Sequence, residues 1–507
     1  MSLKIQALKN VASSWAGLAT SVAVGFFLSP FILHRLGDDA FGLWILVFSV
    51  TGYYGLFDFG IRSSLVRYVA KFKATGEVDE LSRLFNTSLL SYGCVGLFLL
   101  ALTTMGSLYV DRIFHIPAGL RADAPILFLI VGSALALGFP LGIAGGILEG
   151  LQRFYVINAT QIVFTLVRAV LIVLALWHGL GLKTVTLITA ALPLFASAVN
   201  FVLVRHILHL PYGLRYVNRA TFRQVADYGS VTFMIILAAR LRFKTDAVII
   251  GSFLSASAIT YFSIGARLVD YAGEVVSGLA QIFTPMSSHF HAAGDESRLR
   301  QILLAGNRAC ALTMFPICTV LIVVGKSVIE AWVGARYVSS YQVLLILLLP
   351  STLYYAQATS TRILFGMSRH RTLAIVVLAE GIANVILSII LIRPLGIVGD
   401  AIGTAIPLAC TALFFLPRHL CRQLGVPLRT FLRESFLLPA VICFPMAGAM
   451  ALMQHLFYAH GFRQLVLNLL PGLGVYSVGL LWLFLAHEPS AARLRGLASD
   501  YRQQAGR

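Results

Sequence analysis

From Val11 to Ala486 the chain repeats one pattern: an apolar run of twenty or more residues, then a short polar connection. A helix rises about 1.5 Å per residue, so each run is long enough to cross the hydrocarbon of a bilayer. The runs fall near residues 11–33, 41–66, 84–108, 123–149, 155–177, 183–205, 228–252, 257–287, 300–324, 338–364, 371–392, 397–417, 434–456 and 463–486. The pattern predicts an all-α polytopic membrane protein of about 14 transmembrane helices. No polar stretch is long enough for a separate soluble domain. The short basic flank Met1–Asn10, with Lys4 and Lys9, precedes a run too long for a signal peptide, so it reads as an uncleaved first span.

Composition agrees. Hydrophobic residues make up 58% of the 507 residues and charged residues 12%, where soluble domains carry about 25% charge. The net charge of +18 raises the question of nucleic acid, and its distribution answers it. With the N-terminus inside, Lys and Arg number 24 in the inner loops and tails, 8 in the outer loops and 7 within the runs. That bias is the positive-inside signature and not a basic domain; it places both termini in the cytoplasm and excludes a nucleic-acid partner. The six cysteines are scattered, with no C-x-x-C. The twelve histidines form no H-E-x-x-H and no cluster with cysteine. No metal and no cofactor is expected.

Ionisable residues in hydrocarbon cost roughly 2.5–3.5 kcal/mol at a helix centre on insertion scales, so they mark sites or pairs. The second run carries Thr51, Tyr54, Asp58 and Arg62 at helical spacing, which reads as one polar stripe. Either it lines a path through the membrane, or Asp58 and Arg62 neutralise each other and lock helices together. The other intramembrane cations are Arg168, Arg240, Arg242, Lys244, Arg267 and Arg308. The other anions are Asp246, Asp270, Glu274 and Glu380. In the seventh run Arg240 and Lys244 share a face, which calls for an anion between them, Glu274 or a bound phosphate; Arg242 and Asp246 share another face. In the eighth run Arg267, Asp270, Tyr271 and Glu274 share a face. Arginine's planar fork suits phosphate oxygens, so Arg62, Arg267, Arg240, Lys244, Arg168 and Arg308 are candidate contacts for an anionic substrate. Asp58, Asp246, Asp270, Glu274 and Glu380 are candidates for charge pairing or ion coupling. Glu380 is either a proton site or a helix-packing carboxyl. Gly142, Gly146 and Gly150 form a small-residue ridge that reads as close helix packing.

The chain also repeats itself. Phe72, Ala74 and Gly76 recur as Phe290, Ala292 and Gly294 at an offset of 218. Ile147-Leu148, Gly150 and Arg153 recur as Ile363-Leu364, Gly366 and Arg369 at an offset of 216. The expected organisation is an N-lobe of six spans (1–210), a C-lobe of six spans (211–425), and a third part (426–507) holding the last two spans and a basic tail. Parallel repeats of this size are a transporter architecture.

Leu36-Gly37, Phe41-Gly42-Leu43-Trp44, Leu56-Phe57-Asp58-Phe59-Gly60-Ile61, Glu149-Gly150-Leu151-Gln152-Arg153-Phe154, Asn158 and Tyr261-Phe-Ser-Ile-Gly-Ala-Arg267 resemble the multidrug/oligosaccharidyl-lipid/polysaccharide exporter superfamily. Within it they look most like polysaccharide transporters that include Wzx-type O-antigen flippases. The resemblance implies an inverted V of two six-helix lobes, plus two C-terminal helices, working by alternating access in the bacterial cytoplasmic (inner) membrane. It implies an undecaprenyl-diphosphate-linked oligosaccharide as substrate and no enzymatic activity. Related lipid II flippases use cavity arginines, and Arg62 and Arg267 are similar in placement. Expected partners are the lipid-linked oligosaccharide, membrane lipids and other polysaccharide-assembly proteins, around a monomer. Two alternatives stay open: a cation-coupled multidrug antiporter of the same superfamily, and a membrane-embedded glycan polymerase, ligase or glycosyltransferase. The short outer loops speak against the second.

Overall fold

A computed structural model describes residues 3–369, 371–458 and 461–486, and among them the backbone is helical with no strand. The basic C-terminal tail lies outside the described residues. The principal helices of the first half are α1 (Leu3–Leu36), α2 (Asp38–Gly52), α3 (Ile61–Thr75), α4 (Val78–Ser107), α5 (Asp123–Gly150), α6 (Phe154–Trp177), α7 (Leu182–Leu208), α8 (Arg219–Phe243) and α9 (Asp246–Phe253). Helix α10 (Ala256–Ala280) carries the chain into the second half. There follow α11 (Phe283–Ala292), α12 (Glu296–Val323), α13 (Gly325–Val333), α14 (Ser340–Ala356), α15 (Ala358–Gly366), α16 (Arg371–Leu395), α17 (Ile397–Cys410), α18 (Leu416–Leu424), α19 (Leu438–Leu456) and α20 (Phe462–Ala486).

Among the described residues eleven stretches are long and apolar enough to cross a membrane, and a twelfth appears if the pair α14–α15, bent by 44°, is one span. The two expected spans missing from this set are the seventh and eighth, the ones that concentrate the ionic residues. Their charges lower the apolarity of α8 and α10 below what spanning by composition requires.

Helix α4 shows how these helices pack. Tyr92, Gly96, Leu99, Thr103 and Ser107 follow helical steps and are buried, whereas Leu97, Phe98, Leu102 and Met105 are exposed. Small and polar residues turn inward and large apolar ones outward, because lipid is as good a solvent for leucine as a protein core is.

The chain divides into two compact units, residues 1–260 and 261–507. In the first, α5 lies against α3, α4 and α7, while α1 runs along α6 and α8 packs on α3 and α4. The segment of the seventh run therefore packs with the first six runs. A core of Leu65, Val69, Phe72, Leu84, Phe85, Ile143 and Ile147 joins α3, α4 and α5. In the second unit α12 is central, touching α14, α15 and α19, and α16 lies on α17. Gly403 permits that last contact, since a Cβ there would sit 2.5 Å from the Ser388 backbone nitrogen.

The sequence echoes share backbone geometry. Helix α3 closes on Gly76 at φ 75°, with the Glu77 N–H bonded to the Phe72 carbonyl. Helix α11 closes the same way: Gly294 has φ 70° and the Asp295 N–H bonds to the Phe290 carbonyl. Both are helix ends of the Schellman type, which need a residue tolerant of positive φ. The second echo also holds, with Gln152 at φ 56° and Ser368 at φ 57°.

Candidate functional site

The stripe expected along the second run is not one continuous helix. Helix α2 stops at Gly52, a 3-10 turn covers Tyr53–Asp58, and Phe59 (φ 45°) and Gly60 (φ 73°) take left-handed conformations before α3 begins. Thr51 is buried and bonds its own helix at the Val47 carbonyl, and Tyr54 meets Thr103 on α4 at 2.8 Å. Neither lines a path. The break also re-aims the charges. The Asp58 carboxylate accepts a hydrogen bond from the Tyr92 hydroxyl on α4. The Arg62 guanidinium forms its ion pair with Glu149, at the end of α5.

Arg62 thereby lines a polar cavity of about 390 Å³ inside the first unit. Its walls come from α1, α3, α5, α6 and α7. Ser21, Gln161, Thr165, Arg168 and Asn200 face it along with Arg62. Glycines on α5 make the room. A Cβ at Gly145 would lie 3.2 Å from Arg62 Nη2, so the missing side chain lets the guanidinium lie across the helix. Beside it on the same helix, Gly146 and Gly150 receive Leu65 and Val69 of α3, where a Cβ would come within 3.2 Å and 2.8 Å of those side chains. The ridge does pack as its spacing implies. Its first member differs: Gly142 has nothing within 4 Å and borders the cavity. Asn200 also lines the cavity, with its side-chain carbonyl buried and without a hydrogen-bond partner among the described residues, so the cavity brings together two arginines and several neutral polar side chains.

The other site residues stand on other helices. Arg240, on α8, places Nη2 2.9 Å from the Cβ position of Gly55, so it packs on the 3-10 turn. Lys244 is exposed at the C-cap of α8, and Asp246 opens α9 beside the Tyr53–Thr245 hydrogen bond of 2.8 Å. In the second unit, Arg267 lies 5.3 Å over the Tyr271 ring with Asp270 at 4.0 Å, and Glu274 stands one turn further along α10. The Arg308 Nε donates to the Glu434 carbonyl. Glu380 is buried on the face of α16 that carries Asn384 and Ser388 toward α17. Sequence reasoning placed Glu149 only in the resemblance motif and not in the site, and it missed Tyr92 and Asn200. Glu149 ends an apolar run, where a carboxylate reads as a membrane-edge residue. Tyr92 and Asn200 carry no charge, so nothing flagged them.

The loop motif Glu149–Phe154 with Asn158 finds a structural role. The Gln152 carbonyl accepts from Gln6 at 3.0 Å and Asn10 at 2.8 Å, while Asn158 donates to Ser13 and Ser14 at 3.0 Å each. These bonds clamp α1 to the turn between α5 and α6, which fixes one wall of the cavity.

Comparison with known proteins places this arrangement. A family model described as polysaccharide biosynthesis protein matches residues 32–342, more than half of the chain. "Uncharacterized membrane protein EpsK" of Bacillus subtilis (strain 168) is 23% identical over 433 residues, covering 84% of this chain and 85% of the relative. "Putative O-antigen transporter" of Shigella flexneri is 20% identical over 418 residues, covering 80% and 96%. Among solved structures, lipid II flippase MurJ in an inward closed conformation shares the fold with a TM-score of 0.71 at 16% identity, over 94% of this chain and 99% of that one. An inward-facing MATE family multidrug resistance transporter has a TM-score of 0.64 at 13% identity, over 81% and 94%. The break at Phe59–Gly60, the Glu149–Phe154 turn and the glycines of α5 fall within the matched region, and the chain belongs to the polysaccharide biosynthesis protein family.

Proposed function

We propose that the protein is a flippase that moves an undecaprenyl-diphosphate-linked oligosaccharide across the bacterial cytoplasmic membrane by alternating access, for surface polysaccharide assembly. The observation that carries this reading is the cavity in which Arg62 and Arg168 face one space beside neutral polar side chains. Two guanidinium groups offer paired donors to phosphate oxygens. The neutral polar side chains of Ser21, Gln161 and Thr165 beside them suit sugar hydroxyls. Family membership and the lipid-flippase fold support the same reading. In it, a potential negative inside helps the anionic head outward by about 2.3 kcal/mol per charge per 100 mV.

The reading includes fourteen spans, with α8–α9 and α10 as the two ionic ones, two six-helix lobes and both termini in the cytoplasm. Its partners are the lipid-linked glycan and the assembly proteins that supply and consume it. Arg267 on α10 is a second phosphate contact, and Glu380 is the coupling carboxyl. The test is transport. Purified protein in liposomes should make a polyprenyl-diphosphate-linked oligosaccharide accessible to a glycan-cleaving enzyme on the far side. Liposomes without protein should not. Equal accessibility with and without the protein would sink the proposal.

A drug antiporter has the same fold, as the MATE neighbours show. The cavity chemistry favours the flippase, because a cationic drug would have to enter between Arg62 and Arg168. A deletion strain with normal surface polysaccharide and raised drug sensitivity would reverse that preference.

A further inference from the structure

A second cavity in the first unit has no part in the reading above. It measures about 750 Å³ and opens between α3, α4 and α8. Its interior is apolar: Phe59, Leu90, Val95, Phe222 and Phe233 line it, with Phe59 and Phe233 rings 5.5 Å apart. Its volume is in the range that holds a small ligand or a lipid chain. One end is basic, for Arg219 stands on the rim and Arg223 follows one helical turn later, both exposed.

The connection that forms this rim is built to stay in place. Asn86 on α4 donates to the Pro211 carbonyl at 2.9 Å and accepts from the Gly213 N–H at 3.1 Å. Thr87 accepts from the Asn218 N–H at 3.1 Å. Residues 205–223 contain four arginines (205, 215, 219 and 223) and no acidic residue. All four are exposed, along with Tyr212, Leu214 and Phe222. Exposed arginine interleaved with aromatic and leucine side chains at the end of a span is the composition of a membrane–water interface. Such a composition suits headgroup level, with the apolar cavity toward the hydrocarbon.

We propose that this cavity is a resident lipid site: one hydrocarbon chain of an anionic phospholipid fills it, and the phosphate of that lipid pairs with Arg219 and Arg223. The apolar lining selects a chain, and the acid-free cationic rim selects negative charge over a zwitterionic head. The chain lies against Phe59, so it props the left-handed break on which Asp58 and Arg62 are mounted. The site stands whether or not the transported substrate is the one proposed above.

The test uses the full-length protein in nanodiscs with two photoreactive phospholipids that carry a diazirine in mid-chain, one phosphatidylglycerol and one phosphatidylcholine. The glycerol probe should label residues 87–95 and 217–233 about fivefold more strongly than the choline probe. Leu90→Trp fills the cavity and should remove that labelling while labelling of α6 persists. Arg219→Gln should make the two probes equal, and as an exposed substitution it decides the matter even if Leu90→Trp does not fold. Equal labelling by both probes in the wild type, unchanged by Arg219→Gln, would show bulk lipid contact only and overturn the site. Displacement of the glycerol probe by polyprenyl phosphate, at lower concentration than by unlabelled phosphatidylglycerol, would also overturn it, because the cavity would then hold the transported chain.

Discussion

The Arg62 guanidinium donates to the Glu149 carboxylate, a partner 87 residues away, although Asp58 stands one helical turn before it. The break at Phe59–Gly60 separates Asp58 from the regular part of α3 and hands its carboxylate to Tyr92. Arg62 is left half-exposed toward the cavity with one side of its fork held. A guanidinium carries five N–H donors, so one carboxylate leaves donors for a substrate.

Arg62→Ala and Arg168→Ala should each lower flipping of a polyprenyl-diphosphate-linked glycan roughly 10- to 100-fold, the loss of a charged hydrogen bond worth about 1.5–3 kcal/mol. The liposome accessibility assay measures this, with size-exclusion profiles confirming insertion and fold. Normal rates in both variants would remove the phosphate-contact role.

Glu149 is a positioning residue in this scheme. Glu149→Gln should weaken transport less than Arg62→Ala does, and should add little to it in the double variant. A double-mutant cycle is expected to give a coupling of about 0.5–3 kcal/mol, as for residues in direct contact. Additive effects would mean that the pair does not act as a unit.

The glycine ridge separates two roles on one helix. Gly150→Ala sets a Cβ 2.8 Å from the Val69 side chain and 2.9 Å from the Val66 carbonyl. It should lower the melting temperature through overpacking of about 1–3 kcal/mol. Gly142→Ala meets nothing within 4 Å, and the thermal stability should not fall. Melting of the detergent-solubilised variants checks both.

Tyr92→Phe removes the hydroxyl that bonds Asp58 and leaves a half-buried carboxylate short of a donor. The expected cost is about 1–3 kcal/mol of stability. Adding Asp58→Asn should restore part of it, because a neutral amide tolerates the loss better. An unchanged melting temperature in Tyr92→Phe would show that the Tyr92 hydroxyl is not needed to hold Asp58 in place.

Much of this was legible in the chain. Apolar runs announced a helical membrane protein, the repeats at offsets of 216 and 218 marked true geometric equivalents at Gly76/Gly294 and Gln152/Ser368, and the spacing of Gly146 and Gly150 marked a packed ridge. The reading of Thr51, Tyr54, Asp58 and Arg62 as one stripe failed for a local reason. It assumed unbroken helical periodicity through a stretch that holds two left-handed residues in succession.

What the sequence by itself determined is the class, because hydrocarbon admits backbone only when each run bonds to itself, and length with apolarity then suffices to mark the helices. It also located the ionic residues. Which of them meet was decided by the tertiary structure. Partner choice for Arg62 depends on where α3 crosses α5, and that crossing is set by glycine contacts and by a turn clamped to Gln6 and Asn10. Periodicity describes one helix at a time, whereas a cavity is a property of several.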